Sequence, residues 1–526
     1  MSYSKIFSVL PELTYDVIKY FRNDLSTLYS CILVNRLWCR LAIPLLWENP
    51  FSIPKQNYNF IGIYLCNLND ELKAKLNEYK IDDNLFPSNT LFNYPIFLKY
   101  LDTQNIISSI EGWSKDIIRI LKIEYNLVIK FKRLIYTSLF KIFIENEVNI
   151  HTINIHVNHY YIDDVFGLML QTPDFFHNIR NLKFHFIGPS LAHTPKNSGI
   201  SQTINLHQNL KKITLQGYFC FPLYQLSSNH NHSNTLNTII LFKINFIGIT
   251  NLDKVFEQLN VLESVHIIYC ILDTYFIRQI VNLTKPFKLK SIFLDRKLQI
   301  NESLQLLLQK YGDYLENFGY RFDSDSFSEK RLFELIIKYC KNIKFLDLIV
   351  LNNWIIYQLL NLTEDAKQNL NYLSINVINT LSSSFIESVI AFSSTILRNL
   401  GQILPFKLEY LNLALIIKYM DDFEIFLKNS QNTFIKKLLI TNRKMNDEKC
   451  QVIHDSILFY TKEYIMKKKR VKYLAIVNYF SSTVNNDLFS FKDEVKEFEL
   501  YNIKIQKYKD LVIDNKLNFI EELEDF

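Results

Sequence analysis

Glycine and proline are scarce in this chain: of 526 residues, 10 are glycine and 12 are proline. Flexible linkers are built from these residues, so a string of loosely tethered domains is not expected. Hydrophobic residues make up 48% and charged residues 21%, as in an ordinary folded protein. A chain of this length forms several domains or one elongated array of repeats.

Paired cysteines and long apolar runs are also missing. The seven cysteines are scattered, with no CxxC pair: Cys31, Cys39, Cys66, Cys220, Cys270, Cys340 and Cys450. Because the chain also lacks a signal peptide, this set predicts reduced thiols and a location in the cytosol, the nucleus or both. No stretch reaches 18 uninterrupted apolar residues, so we expect no membrane span and no membrane partner.

The motifs of common enzymes are absent too. There is no GxSxG, no P-loop, no HExxH and no Cys–His pair at an informative spacing, so we expect a protein without catalytic residues and without a cofactor. The net charge of +6 is too dilute to predict a nucleic-acid partner. The basic run Lys467–Arg470 predicts a solvated turn, with a nuclear signal or a phosphate contact as alternatives.

Histidines form two groups in the sequence. His151, His156 and His159 lie close together, as do His230 and His232. Neither group is accompanied by cysteines or a set of acidic ligands, which a metal site would need. We therefore expect surface histidines and no metal.

What is present begins at the N-terminus, where residues 10–51 form a run of short amphipathic helices. In the first helix, apolar residues recur at spacings of three and four: Leu10, Leu13, Val17 and Phe21. Asp24 and Asn35 predict the N-caps of a second and a third helix, and Pro44 is expected to end the third. About forty residues cannot bury this much apolar surface alone, so a partner surface is expected.

These residues resemble the F-box. The resemblance rests on Leu10-Pro11-Glu12-Leu13, Val17-Ile18, Asp24-Leu25, Leu33-Val34-Asn35-Arg36-Leu37-Trp38 and Leu46-Trp47. It implies that the module binds a Skp-type adaptor and, through it, a cullin scaffold of a RING ubiquitin ligase. The candidates for adaptor contact or for the core of the module are Leu10, Pro11, Leu13, Val17, Ile18, Leu25, Leu28, Leu33, Trp38, Leu46 and Trp47. The sequence does not separate those two roles.

The rest of the chain is a repeat. From about residue 116, a phrase of the form apolar-x-x-apolar-x-apolar recurs about 14 times, first at 118–123 and last at 495–500. Between Ile213 and Leu373 the middle residues step by 26, 26, 27, 26, 28 and 27 positions. This period lies in the range of leucine-rich repeats, and helical patterns fill the gaps.

An α/β fold is therefore predicted, with a three-helix F-box followed by an irregular leucine-rich-repeat solenoid. Its parallel sheet is expected on the concave side and its helices on the convex side. The predicted domains are residues 1–51, a helical bridge and cap at 52–115, and the solenoid at 116–526. The chain departs from the family pattern because the Asn or Cys expected five residues after the middle position occurs at Asn126, Asn158 and Cys270 but is mostly absent elsewhere. Loops are predicted at 188–203 and 227–235.

Alternation along the strands predicts which side chains leave the core. In the last repeats the outward positions carry mostly aromatic residues: Phe345, Tyr372, Tyr410, Lys437, Tyr473 and Tyr501. The corresponding early positions are polar, such as Thr152, Asn154, Asn181 and Thr214. The aromatic set predicts a surface that binds a target protein, because Tyr and Phe dominate interface hot spots. The alternative is that some of these rings insert into the core.

Two functions follow from these features. In the first, the chain is a substrate-recognition adaptor of a ubiquitin ligase, with its F-box on the Skp-type adaptor and an unknown target protein on the repeats. In the second, it is a repeat scaffold outside any ligase, and the N-terminal helices only cap the solenoid.

Overall fold

The computed structural model describes residues 11–524 apart from 23, 54–57, 80, 82–89, 122, 158–160, 187–195, 208, 218–222, 224–225, 227–233, 286, 295–301, 322–326, 351–353, 378–385, 444–449 and 482–483. The chain divides into two compact units. The first consists of Met1–Ile240 and Lys254–Leu262, and the second of Leu241–Asp253 and Glu263–Phe526.

The first unit begins with three short helices. They are α1 (Pro11–Lys19), α2 (Leu25–Ile32) and α3 (Arg36–Leu46). The predicted caps are confirmed: the Asp24 carboxylate accepts a hydrogen bond from the Thr27 N–H, and the Asn35 side chain accepts one from the Trp38 N–H. Each bond satisfies an N–H that has no carbonyl partner within its helix.

Beyond α3 the first unit contains further helices and a parallel sheet. The helices are α4 (Phe60–Leu65), α5 (Asp70–Asn77), α6 (Thr103–Leu121), α7 (Tyr125–Glu145), α8 (Ile162–Gln171), α9 (Pro173–Phe176) and α10 (Lys196–Leu206). The strands are β1 (Tyr100–Asp102), β2 (Thr152–His156), β3 (Asn181–His185) and β4 (Lys212–Gln216). Each of these strands pairs in parallel with the next one along the chain. The boundary between the units falls within β5 (Thr238–Phe242) and again within α11 (Leu252–Gln258).

The second unit repeats a strand and a helix many times. Its strands are β6 (Ser264–Ile268), β7 (Lys288–Leu294), β8 (Asn317–Arg321), β9 (Phe345–Val350), β10 (Tyr372–Val377), β11 (Lys407–Leu415), β12 (Phe434–Asn442), β13 (Val471–Ser481), β14 (Val484–Asp487) and β15 (Lys504–Ile505). Its helices are α12 (Thr274–Val281), α13 (Glu302–Tyr311), α14 (Phe327–Tyr339), α15 (Trp354–Asp365), α16 (Ile386–Ile403), α17 (Met420–Asn429), α18 (Cys450–Thr461), α19 (Lys492–Leu500), α20 (Tyr508–Leu511) and α21 (Lys516–Glu524). Strands β6 to β13 pair in parallel and in chain order. At the end of this series, β14 pairs antiparallel and β15 parallel with β13.

The apolar residues of the repeat form the core of both units. In β2 to β4 the inward residues are Ile153, Ile155, Leu182, Phe184, Ile213 and Leu215, all with no exposed surface. In the second unit the same positions are buried in every strand from β6 to β13, for example at Leu346, Leu373 and Leu411. Side chains of successive strand residues point to opposite faces, so the residues between them lie on an outer face. The predicted α/β class with a parallel sheet is thus confirmed, and its strand order is solenoid-like.

The first and last phrases of the repeat were assigned to the wrong element type. Residues 118–121 belong to α6 and 495–500 to α19, and both were expected to begin strands. In each case an apolar i, i+3 pair fits a helix as well as it fits a strand flanked by a bend. The first described strand is instead β1, within a stretch for which helix was predicted.

Two smaller expectations are corrected in the same way. Pro44 lies inside α3, which continues to Leu46, because the last turn is still closed by a bond from the Trp47 N–H to the Ile43 carbonyl. Part of the loop predicted at 188–203 is helical, since α10 begins at Lys196. Residues 187–195 and 227–233 of the two predicted loops lie outside the described residues.

Among the helices that the structure describes, each is too short or too polar to cross a bilayer.

Candidate functional site

The three N-terminal helices, here called the N-terminal module (residues 11–47), have a small core of their own. It contains Ile18, Leu28, Cys31, Ala42, Leu45 and Leu46. Partly buried side chains close it at the sides, among them Leu25, Trp38 and Trp47. Of the residues predicted to serve adaptor contact or module core, Ile18, Leu28 and Leu46 therefore belong to the core.

Other residues of the predicted set point into solvent. Leu33 is 85% exposed, Leu13 is 52% exposed and Val17 is 39% exposed. Leu13 and Val17 are four residues apart on α1 and share one face of that helix. Pro11 is exposed at the start of the same helix, and Leu10 lies outside the described residues. The module thus closes a core and still presents apolar side chains that the described residues do not cover.

The end of α3 connects the module to the rest of the first unit. The Trp47 ring lies 4.1 Å from the Tyr94 ring and 5.3 Å from the Tyr64 ring, measured between centroids. Glu48 is buried and pairs with Arg22 of the module and with Lys99, whose Nζ is 3.1 Å from its carboxylate. Trp47 and Glu48 therefore join the module to the helices that follow.

In the second unit the outer face of the sheet carries the predicted aromatic residues. Strand register aligns Phe345, Tyr372, Tyr410, Lys437 and Tyr473 in one row across β9 to β13. The next row contains Leu439 and Ala475. We call these seven residues the aromatic face. Tyr501 is the exception in the predicted set, because it follows α19 and is not in a strand.

The aromatic face is covered by residues 506–524, here called the C-terminal segment. Phe519 packs edge-on against Phe345 and Tyr372, with centroid distances of 4.9 and 5.0 Å. Leu511 is buried in a cluster with Tyr410, Leu439 and Ala475, to which Tyr508, Val512 and Ile513 also belong. Phe345 consequently has no exposed surface, and Tyr410 is 1% exposed.

Polar contacts fix the segment along its length. The Tyr508 hydroxyl donates to the Asn412 side chain (3.1 Å), and the Ile513 N–H donates to the Tyr410 hydroxyl (3.3 Å). Further on, the Lys516 ammonium lies 3.0 Å from the Asp347 carboxylate. These partners lie on β11 and then on β9, so the segment runs back across the strands in reverse order.

The end of the segment reaches β6 and β7. The Glu524 carboxylate lies 3.3 Å from His266 Nε2 and 2.9 Å from Lys290 Nζ. Burial would raise the pKa of Glu524, but His266 and Lys290 outweigh it and lower this pKa to about 2. Burial lowers the pKa of the His266 imidazole, against the opposing effect of Glu524. His266 Nδ1 is held 2.7 Å from Ser291 Oγ, which also accepts a hydrogen bond from Asn317.

The C-terminal segment was missed by sequence reasoning, which extended the solenoid to residue 526. One signal was present: the repeat phrase stops, and residues 506–526 hold six acidic residues with Leu517 and Ile520 spaced as on one helix face. The pattern therefore indicates an amphipathic helix. It carries no information about the surface on which that helix lies.

In the first unit the outer positions of β2 to β4 are polar, as predicted. They are Thr152, Asn154, His156, Asn181, Lys183, His185, Lys212, Thr214 and Gln216, here called the polar face. Neighbouring members bond to one another, as Asn181 does to Thr152, and Asn154 donates to Asp102. The His156 and His185 rings stack with centroids 4.3 Å apart. Burial, and secondarily the neighbouring His156, lower the pKa of His185 to about 4.

The other candidates from the sequence are the basic run Lys467–Arg470 and the two groups of histidines. Arg470, the last residue of the basic run, is buried and donates to the carbonyls of Leu427, Ser430 and Tyr464. Burial lowers the pKa of its guanidinium to about 10. In the part of the chain that the structure describes, no three His, Cys, Asp or Glu residues are grouped to hold a metal ion. His159, His230 and His232 lie outside that part.

Comparisons with known proteins add no identity. No protein-family model matches the chain, and no curated protein matches its sequence.

Proposed function

We propose that this protein is a substrate-recognition adaptor of a cullin RING ubiquitin ligase. The N-terminal module binds a Skp-type adaptor, and the repeat units bind a target protein. The supporting observation is the exposure of Leu13, Val17 and Leu33 on a module that has already closed a core. Apolar side chains left outside a complete core are typical of docking surfaces.

The repeat units are consistent with the leucine-rich-repeat half of the proposal. Strand and helix alternate with the period of that family, and strands pair in chain order. Cys270 occupies the position at which such repeats have Asn or Cys. Its Sγ donates to the Leu241 carbonyl at 3.3 Å, so it bonds to the backbone of β5, the strand of the preceding repeat. Arrays of this kind present extended surfaces to other proteins.

The second candidate function, a scaffold with the module as a cap, has an observation in its favour. Trp47 and Glu48 attach the module firmly to the first unit. Phe51 continues this attachment, since it is buried against Phe60 and Phe143. Deleting residues 1–51 would therefore remove core contacts under either function, and the deletion does not separate them.

Substitution of the exposed residues does separate the two functions. We expect Val17→Asp with Leu33→Asp to leave the module folded and to weaken binding of purified Skp-type adaptor. Loss of two interface anchors costs about 2 kcal/mol or more, which is roughly a 30-fold rise in Kd. Binding is measured by calorimetry, and folding by thermal melting. The matched control is Ile129→Asp, an apolar residue that is 64% exposed on α7.

The adaptor function requires wild-type binding that the control retains and the double variant loses. If the wild-type chain does not bind the adaptor, or if the double variant binds it equally well, the scaffold function stands instead. Leu28→Ala is a poorer test because Leu28 is fully buried in the module core. That substitution would unfold the module, and loss of binding would then have two explanations.

A further inference from the structure

The C-terminal segment packs on the outer face of the second unit, and its contacts indicate which chemical groups that face accommodates. The face offers rings at Phe345 and Tyr372, to which the segment supplies Phe519. Beyond them it offers the cation Lys290, to which the segment supplies the Glu524 carboxylate. Between these points α21 buries Leu517 and Ile520 and leaves Asn518 and Glu522 in solvent. The occupant is thus an amphipathic helix with an aromatic anchor and an acidic end.

The segment is attached mainly through side chains. Its last main-chain bond to the sheet among the described residues runs from the Gln506 N–H to the Leu474 carbonyl. After Gln506, each described contact of the segment with the sheet involves at least one side chain. The backbone hydrogen bonds of α20 and α21 join residues within the segment. Detaching the segment would therefore leave the strand ladder of β6 to β13 intact. Such elements open at a lower free energy than the whole domain unfolds.

The segment leaves part of the face open to solvent. A cleft of about 460 Å³ lies beside it, lined on the sheet side by Tyr372, Glu409, Tyr410, Lys436 and Lys437 and on the other side by exposed residues of the segment. A helix with larger side chains at these positions would make more contacts.

We propose that the aromatic face is a docking surface for an acidic amphipathic helix of a target protein, and that the C-terminal segment occupies this surface as an intramolecular ligand. This inference rests on the proposed function, because it names the kind of target that the repeats would hold. The charges favour an acidic partner: Lys290, Lys436 and Lys437 line the path of the segment, although Lys436 also pairs with Glu409 of the sheet. The segment itself holds five acidic and three basic residues, a net charge of −2. The target helix would replace Phe519 with its own aromatic residue and Glu524 with its own carboxylate.

Because the C-terminal segment is tethered to the aromatic face, a target helix must compete with it for that surface. A segment joined to its site by a short connection acts at an effective concentration in the millimolar range. A free helix binds only to the fraction of molecules in which the segment is detached, so its apparent Kd rises by the inverse of that fraction. Weakening the segment should therefore strengthen binding of a helix supplied in trans.

The test uses the full chain and a synthetic, fluorescently labelled peptide of residues 505–526 as the probe. Phe519→Ala with Glu524→Gln loosens the segment while leaving the face intact. We expect this variant to bind the peptide about 30-fold more tightly than the wild-type chain does, as measured by fluorescence anisotropy. The matched control is Lys509→Ala, an exposed residue of the segment, which should bind the peptide as weakly as the wild type. A peptide with Phe519→Ala and its glutamates changed to lysine should not bind.

Hydrogen exchange of the wild-type chain provides a second measurement if the loosened variant does not fold. The amides of α21 should exchange much faster than those of β9 to β12, because the segment opens by itself. The proposal would be overturned if the amides of α21 exchanged only when the whole second unit unfolds. It would also be overturned if the variant with Phe519→Ala and Glu524→Gln folded but did not bind the peptide. A wild-type dimer with exchanged C-terminal segments would also overturn it, since the occupant would then be a second copy.

Adaptor binding by the same variants distinguishes this proposal from the proposed function. If the loosened variant binds the peptide but no chain binds the Skp-type adaptor, the docking surface stands and the ligase function fails. If all variants bind the adaptor but none binds the peptide, the ligase function stands and the docking surface fails.

Discussion

The outer face of the sheet differs between the two units in its chemistry and in what covers it. On β2 to β4 the outer residues are polar and contact one another: Asn181 donates a hydrogen bond to Thr152, and the rings of His156 and His185 stack. On β9 to β13 they are mostly aromatic or aliphatic, and residues 506–524 lie over them. Both faces come from the same repeat, and in both the inward residues are apolar and buried.

The difference shows that the repeat determines the core but leaves the outer face free to vary. The polar side chains of an outer face can form hydrogen bonds with neighbouring side chains and with water. An aromatic outer face of this extent would be a large exposed apolar patch, which a soluble protein covers or uses for binding. The second unit covers its patch with its own chain.

The largest expected effect comes from removing an aromatic residue beneath the C-terminal segment. Phe345→Ala should lower the free energy of unfolding of the second unit by about 3–5 kcal/mol, because the ring is fully buried between the sheet and Phe519. Chemical denaturation checks this value. Tyr357→Ala is the matched control: this ring is 65% exposed on α15, and its loss should cost less than about 0.5 kcal/mol. Equal losses for the two variants would contradict burial of the aromatic face.

A smaller effect is expected from the acidic end of the segment. The pKa of Glu524 is about 2 in the folded chain and about 4.5 when unfolded, so its stabilising contribution is complete above about pH 4.5 and is lost as the pH falls towards 2. Glu524→Gln should therefore be about 2 kcal/mol less stable than the wild type at pH 7. The difference between the two chains should shrink below pH 4.5. A difference that stays constant down to pH 3 would contradict the contacts of Glu524 with His266 and Lys290.

The smallest effect concerns the polar face and lies in another pH range. The pKa of His185 is about 4 in the folded chain and 6.5 when unfolded, so the unfolded chain takes up a proton first. Stability from this group is complete above pH 6.5 and is lost as the pH falls to 4. His185→Gln should remove about 1 kcal/mol of this pH dependence from the first unit. Denaturation curves between pH 7 and 4 measure it, and identical slopes for the two chains would rule it out.

Much of the fold could be predicted from local patterns. The repeat phrase identified the strands from β2 to β13 because its alternation reports which side chains are buried. It failed at 118–121 and 495–500, where the same apolar spacing lies on helices. The caps Asp24 and Asn35 were predictable because a cap acts within three residues.

The candidate site could be predicted only in part. Alternation identified Phe345, Tyr372 and Tyr410 as outward residues, and the structure gives them that orientation. The segment that covers them could not be inferred, because its contacts join residues far apart in the chain: Lys290 and Glu524 are separated by 234 positions. No periodicity encodes such a pairing. The same limit applies to the N-terminal module, where the division into core residues such as Leu28 and exposed ones such as Leu33 depends on how three helices pack.

Hydroxyl-radical footprinting of the full chain reports whether the C-terminal segment covers the aromatic face. Oxidation of Phe345 and Tyr410 should be as slow in the wild-type chain as that of the core residue Phe184, and Tyr357 should react rapidly in the same sample. Loosening the segment with Phe519→Ala and Glu524→Gln should accelerate oxidation of Phe345 and Tyr410 and leave Phe184 protected. If Phe345 and Tyr410 react as fast as Tyr357 in the wild-type chain, the segment does not cover the face and the account is wrong.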